Sequence, residues 1–250
     1  MAFDFVITSM SGQTAVGATA DQSSGKYIPA DLIYPQRLKT GPANYCYTRN
    51  GLARQIKILS KIISAGNDSI GRPGNFFAHH LVLEENELEK CKAGPAFLLK
   101  RRSFLDNWNE KKTLKYDKSF IEVNNYLKMR EPPTWKLYFQ NQWENELMKL
   151  LDNIADPSQN DQKCVLLYNG SKVSGETVLD LFYEVFSWID VSKRWDITFA
   201  TSAADIHRNI EWRWMGIDSR DQKTVNALVD KSGFFSKKSK ALVIEIPDKD

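Results

Sequence analysis

In the first third of the chain the apolar positions fall into short runs at strand period. Residues 3–8 alternate around β-prone side chains and predict an opening strand, and residues 44–48 are a second candidate. Between them, residues 9–25 are small and polar and read as a long loop with little to pack. Residues 54–63 fit two periods. Ile56, Ile58 and Ile62 alternate as in a strand, whereas Leu52, Ile56, Leu59 and Ile63 share one helix face. The density of β-branched side chains favours strand. The Gly/Pro/Asn cluster at 66–75 reads as a loop, and residues 76–83 as a strand running out of it. A short helix is predicted over 84–91, ending near Gly94-Pro95. Residues 97–115 are basic and aromatic with no clean period.

The pattern changes after Pro132-Pro133, a stiff break. Residues 135–154 predict an amphipathic helix with Trp143, Leu147, Leu150, Leu151 and Ile154 on one side, and residues 156–162 a surface loop. The continuous apolar run 164–168 ends at Asn169-Gly170, a strong turn signal. Ser174 can cap a helix that carries Glu176 in its first turn and Val178, Leu181, Phe182, Val185 and Ile189 at helical spacing. Residues 195–201 alternate as a strand. Strand, helix and strand of these lengths predict a βαβ crossover, with Leu181, Phe182 and Val185 against the sheet that holds Val165 and Ile197. Residues 211–217 and 242–246 are further strands. The fold class that follows is α/β or α+β, a mixed β-sheet with flanking helices and one βαβ unit in the second half. The chain reads as a single module over 1–250, or as two subdomains, 1–131 with the His-His strand and 132–250 with the βαβ unit.

Composition narrows the function classes. At 250 residues, 42% hydrophobic and 26% charged, the chain is long enough to bury a core without a metal or disulfide. The balance of 34 basic and 31 acidic side chains does not point to nucleic acid or an anionic membrane. Cys46, Cys91 and Cys164 are odd in number and scattered, and read as reduced, buried thiols of a cytosolic protein. The N-terminus carries Asp4 in place of a basic region and reads as a strand, not a signal peptide. No apolar run approaches the ~18 residues that span a bilayer, so membrane insertion is not expected.

Candidate chemistry gathers in one loop and strand. Asp68, Arg72, Asn75, His79 and His80 lie within thirteen residues, where a glycine-rich turn meets a strand. Arg72 could hold a carboxylate or phosphate, or pair with Asp68 and brace the loop. On a strand, adjacent side chains point to opposite faces, so His79 and His80 do not chelate one ion, and no metal or cofactor is expected. One histidine is expected inside the sheet. At least one is expected to be exposed and usable, with general acid–base work as its alternative role. No catalytic residue is assigned. The segment Asn169-Gly-Ser-Lys-Val-Ser-Gly-Glu176 has the placement of a phosphate cradle but not its spacing, and reads as an ordinary turn and cap. Trp212 and Trp214 are expected on one strand face and Arg213 on the other, as core residues; base stacking is the weaker reading.

Three blocks resemble a known family: Ile7-Thr-Ser9; Ile58-Leu-Ser-Lys-Ile62 with Gly66, Asp68, Gly71-Arg72, Asn75, Ala78-His-His-Leu81, Gly94-Pro95 and Trp108; and Arg194-Trp-Asp-Ile-Thr-Phe-Ala-Thr201 with Trp212-Arg213. The family is the N-terminal domain (type 2) of bacterial GTPase-associated proteins from predicted biological-conflict systems. The chain departs from it at Lys61, where arginine is usual, at Ser69, where an aromatic is usual, and in a loop at 9–25 poorer in glycine and arginine. The resemblance implies a cytosolic bacterial module working within a GTPase-linked assembly, and the reading taken is a cytoplasmic, non-enzymatic interaction or sensing module with a protein partner, a small GTPase or another component of the same system. The rival is an enzyme or small-ligand binder using Asp68, Arg72, Asn75, His79 and His80. A nucleic-acid role through Trp212, Arg213 and Trp214 is the third reading.

Overall fold

The computed structural model describes residues 3–10, 13–18, 43–50, 56–67, 73–89, 91–106, 131–155, 163–203, 212–229 and 241–248. Strands are β1 (Phe3–Met10), β2 (Gln13–Ala18), β3 (Asn44–Asn50), β4 (Ile56–Asn67), β5 (Pro73–Leu83), β6 (Cys164–Tyr168), β7 (Phe199–Ala200), β8 (Trp214–Asp218) and β9 (Leu242–Glu245). Helices are α1 (Glu85–Leu88), α2 (Pro95–Arg101), α3 (Pro133–Phe139), α4 (Trp143–Ala155), α5 (Gly175–Phe186) and α6 (Gln222–Val229).

All nine strands join one mixed sheet in the order β2-β1-β5-β4-β3-β7-β8-β6-β9. From β2 to β7 every neighbouring pair is antiparallel, and from β7 to β9 every pair is parallel. The expected crossover is present: β6, α5 and β7 form it, with β8 lying between the two parallel strands. The sheet and its helices bear out the α/β or α+β class.

Alternation along the strands sorts the core into two faces. Tyr45, Tyr47, Leu59, Leu81, Leu166, Phe199 and Trp214 point to one face, where α2, α3, α4 and α5 cover them. Cys46, Ile58, Val82, Val165, Ala200 and Met215 point to the other, where Val225 of α6 packs. Leu181, Phe182 and Val185 are fully buried on the first face together with Ile197. Val165 is not their neighbour. It points the opposite way, one residue out of phase with Leu166.

Several boundaries differ from those read in the sequence. Residues 13–18, expected as loop, form β2, which pairs with β1 through its backbone from Phe5↔Ala18 to Met10↔Gln13. Of the ambiguous stretch 54–63, the part from Ile56 on is strand, within β4, and residues 54 and 55 lie outside the described residues. Gly94-Pro95 does not end a helix but starts α2, with Pro95 in the first turn, where its missing N–H costs nothing. Gly94 has φ 91°, and a Cβ there would lie 2.9 Å from Cβ of the buried Arg194. Arg194 in turn donates from Nε to the Ile189 carbonyl at 3.1 Å and from its guanidinium to the Lys92 carbonyl at 3.2 Å, tying the turn before α2 to the chain after α5. The helix expected over 135–154 is broken into α3, a single 3-10 turn Gln140–Gln142, and α4, at Gln140 with φ 47°. Residues 195–201 are a strand only at Phe199–Ala200, because Val191–Asp196 closes as a 3-10 turn capped by Asp190.

The N-terminus of α3 is satisfied from outside its own segment. Glu184 of α5, buried, accepts from the backbone N–H of Thr134 at 2.9 Å and of Trp135 at 3.1 Å. Burial pushes the Glu184 carboxyl above the usual carboxylate range, against the hydrogen bonds from Thr134 and Trp135. Glu184→Ala is expected to lower stability by about 1–3 kcal/mol, since two buried donors lose their acceptor. Glu184→Gln, which keeps one acceptor oxygen, should lose less. The folded state also holds the Glu184 proton more tightly than the unfolded chain does. Wild-type stability from this group therefore falls as pH rises through the raised value, and the Gln variant lacks that fall. Urea titrations of the three proteins across pH measure both effects.

Candidate functional site

Of the five residues singled out in the sequence, Asp68 and Arg72 lie outside the described residues. Asn75 lies near the start of β5, opposite Gly66 of β4, where the register of the pair shifts. His79 and His80 sit in the middle of β5, which is flanked by β1 on one side and β4 on the other. As adjacent strand residues they point to opposite faces.

Neither is exposed: His79 is 2% and His80 0% accessible. The expectation of a solvent-facing histidine is therefore corrected. A central strand covered on both faces leaves no open position at 79 or 80.

His80 belongs to a row running across three strands, Cys46↔Ser60↔His80. The Ser60 hydroxyl and His80 Nδ1 are 2.7 Å apart. Burial, with the neighbouring His79 adding to it, lowers the His80 imidazole to about 3. Burial likewise pushes the Cys46 thiol up to about 12, although the Ser60 hydroxyl works against the shift. A nucleophile, a hydroxyl and an imidazole in line resemble a catalytic set by composition. Here the imidazole is uncharged near neutrality and the thiol keeps its proton, so the row is a neutral polar seam in the sheet.

His79 belongs to the matching row on the helix-covered face, Tyr45↔Lys61↔His79. The segment after α2 closes over it. Leu105 donates its backbone N–H to His79 Nδ1 at 3.0 Å, which fixes that nitrogen as an acceptor and places the proton of the neutral ring on Nε2. Phe104 packs edge-on against the His79 ring at 5.1 Å. Asp106 bonds Lys61 Nζ at 2.5 Å, and the same ammonium lies 5.6 Å from the centre of the Tyr45 ring. Burial opposes the Lys61 charge, but Asp106, by hydrogen bond and charge, and Tyr45 outweigh it and hold the ammonium above its usual range. Burial raises the Tyr45 phenol, with Lys61 pulling it back and Glu176 pushing it further up. Tyr45 is fixed at its backbone too, where its N–H donates to Thr201 Oγ1 at 2.9 Å.

Tyr45, Ser60, Lys61 and Asp106 were not singled out as site residues from the sequence. One signal for Lys61 was available: it is the lone charge in the apolar run Ile58-Leu-Ser-Lys-Ile-Ile63. Nothing local marks Tyr45 or Asp106, because their meeting depends on strand register and on the path of the chain after α2.

The other constellations resolve as structure. The turn after β6 is closed by Asn169 Oδ1, which accepts from the Ser171 N–H at 3.1 Å, and Ser174 Oγ caps α5 by accepting from Thr177 N–H at 3.0 Å. Gly170 lies under the Asp218–Arg220 pair, where a Cβ would meet an Asp218 carboxylate oxygen at 2.2 Å. Trp212 and Trp214 do not share a face. Trp212 belongs to the α6 side and Trp214 to the α5 side, because β8 begins at Trp214 and Trp212 precedes the strand. Both are buried, and Arg213 donates to the Asn153 carbonyl near the end of α4 at 2.6 Å. The three cysteines are free and buried. Among the described residues no cluster of three or more His, Cys, Asp or Glu could hold a metal, and no helix is long and apolar enough to cross a membrane.

A family model described as GTPase-associated protein 1, N-terminal domain type 2, matches residues 3–118. This is the family that the sequence blocks resemble, and the matched stretch holds β1 to β5, α1, α2 and both histidine rows. The blocks at 194–201 and 212–213, with β6 to β9 and α3 to α6, lie outside it. No curated protein and no solved structure matches the chain.

Proposed function

We propose that this chain is a cytoplasmic interaction or sensing module of a GTPase-associated bacterial conflict system, working as one module and without catalysis of its own. Its partner is a protein, with a small GTPase of the same system foremost and no nucleic acid or membrane involved. The observation that carries the reading is the fate of the two histidines. They are the histidines among the described residues, and both are enclosed in the sheet, one bonded to Ser60 and one to the Leu105 N–H. An imidazole lowered to about 3 is a poor general base at neutral pH. The family match over 3–118 supplies the GTPase association.

The test is retention of a small GTPase encoded beside this protein on the immobilised full chain, with the GTPase loaded with GDP or with a non-hydrolysable GTP analogue. Retention that depends on the nucleotide supports sensing, and equal retention supports plain association. Loss of retention in Arg72→Ala with an unmoved melting temperature would place the segment 68–72 on the partner surface. No retention in either nucleotide state would sink the reading.

A further inference from the structure

We propose that Tyr45 and Lys61 form a carboxylate-binding subsite, that Asp106 occupies it from within the chain, and that an Asp or Glu of the protein partner takes its place on docking. The subsite itself stands on geometry, and the identity of its occupant rests on the interaction reading above. Tyr45 and Lys61 are opposite each other on β3 and β4, on one face of the sheet, and the ammonium lies 5.6 Å from the centre of the Tyr45 ring, so a phenol and an ammonium stand side by side. Such a pair matches the two oxygens of a carboxylate.

The ion pair is uneven. The Lys61 side chain is 14% accessible and the Asp106 side chain 67%. The ammonium has given up most of its hydration and depends on an anion beside it. The carboxylate is still largely in water and gives up little by leaving. A carboxylate from outside therefore satisfies Lys61 as well as Asp106 does, and the exchange is close to balanced. Asp106 is nevertheless well placed to compete. Its neighbour Leu105 is bonded to His79, and Phe104 is packed on the same ring, so Asp106 is presented at Lys61 by an anchored backbone.

The class of anion follows from the surroundings. The resident group is a carboxylate, and Glu176 in the first turn of α5 acts on Tyr45 as a further negative charge. A singly charged carboxylate is accepted in that field more readily than a phosphate dianion.

Acetate and phosphate at matched ionic strength are the probes, read as melting temperature on the full chain. Asp106→Asn removes the resident anion from an exposed position. With acetate tenfold above its Kd, that variant should gain about 3–6 °C. Phosphate should give less, Tyr45→Phe in the same background should weaken the gain, and Lys61→Met in the same background should abolish it. Asp106→Asn should also retain the GTPase about fivefold more tightly than wild type, the upper end for an exposed pair. No acetate response in Asp106→Asn overturns the subsite, whether or not the GTPase binds. An acetate response with unchanged GTPase retention overturns the partner carboxylate as occupant. Failure of wild type to bind the GTPase is a separate result, and it touches the occupant and the interaction reading alone.

Discussion

Phe182→Ala is expected to lower the unfolding free energy by about 3–5 kcal/mol. Phe182 sits in the middle of α5, fully buried, at the point where that helix crosses from β6 to β7. Its ring centre lies 5.4 Å from Phe199 on β7 and 5.5 Å from Trp214 on β8. Phe186, one turn on, meets the same two rings at 5.7 and 5.4 Å, so four aromatic residues lock one helix onto two strands. Removing one ring loses the transfer energy of a buried Phe, roughly 1.5–3 kcal/mol, and the aromatic contacts, and it leaves a cavity that three rigid neighbours cannot fill. Phe182→Leu should lose less, because much of the volume stays. Equilibrium urea denaturation of the three proteins reads the effect. A loss below about 1 kcal/mol for the alanine variant, with an unchanged denaturant slope, would contradict this packing.

Acidification from neutral pH to pH 3 is expected to remove about 4–5 kcal/mol of stability through His80 alone. In the unfolded chain the imidazole takes a proton near its ordinary value, 6.5, while in the folded sheet burial lowers it to about 3. Between those two values the unfolded state binds more protons than the folded one. The contribution is therefore complete above pH 6.5 and declines as pH falls toward 3, with a loss of about 2 kcal/mol by pH 5. Asn is the informative replacement, because its side-chain amide reaches the position of the ring nitrogen that meets Ser60 but does not titrate. Unfolding free energies of wild type and His80→Asn, measured against pH, should converge as the medium is made more acidic. Curves that stay parallel from pH 7 to pH 4 would show that the imidazole does not carry this penalty.

Elements with a strong local period were legible in the sequence, and those held by their neighbours were not. Residues 164–168 and the helix capped by Ser174 were read correctly because a buried run, a turn and an amphipathic stripe are all local. β2 was missed because Gln-Thr-Ala-Val-Gly-Ala has almost no hydrophobic contrast and is held by its ladder to β1. α2 is not legible as a helix because Pro95 reads as the end of one helix when it begins another. The site divides in the same way. Strand geometry alone separates His79 from His80, and the structure agrees. Their burial, and their partners Ser60 and Leu105, depend on which strands flank β5, in what register, and on the path of the chain after α2, which no single strand encodes.

The junction at the centre of the sheet also bears on how the chain is made. β3 meets β7 at Cys46↔Ala200 and Tyr47↔Phe199, partners separated by roughly 150 residues. At ordinary translation speeds, about 5–20 residues per second, β7 leaves the ribosome roughly 8–30 s after β3. Until then the β3 edge that β7 will cover stays open, with its backbone donors and acceptors unpaired and ready to template a foreign strand. The nascent protein therefore passes through a stage in which its family-matched portion is present but its sheet is unfinished. A fragment ending at residue 118 would hold that stage permanently.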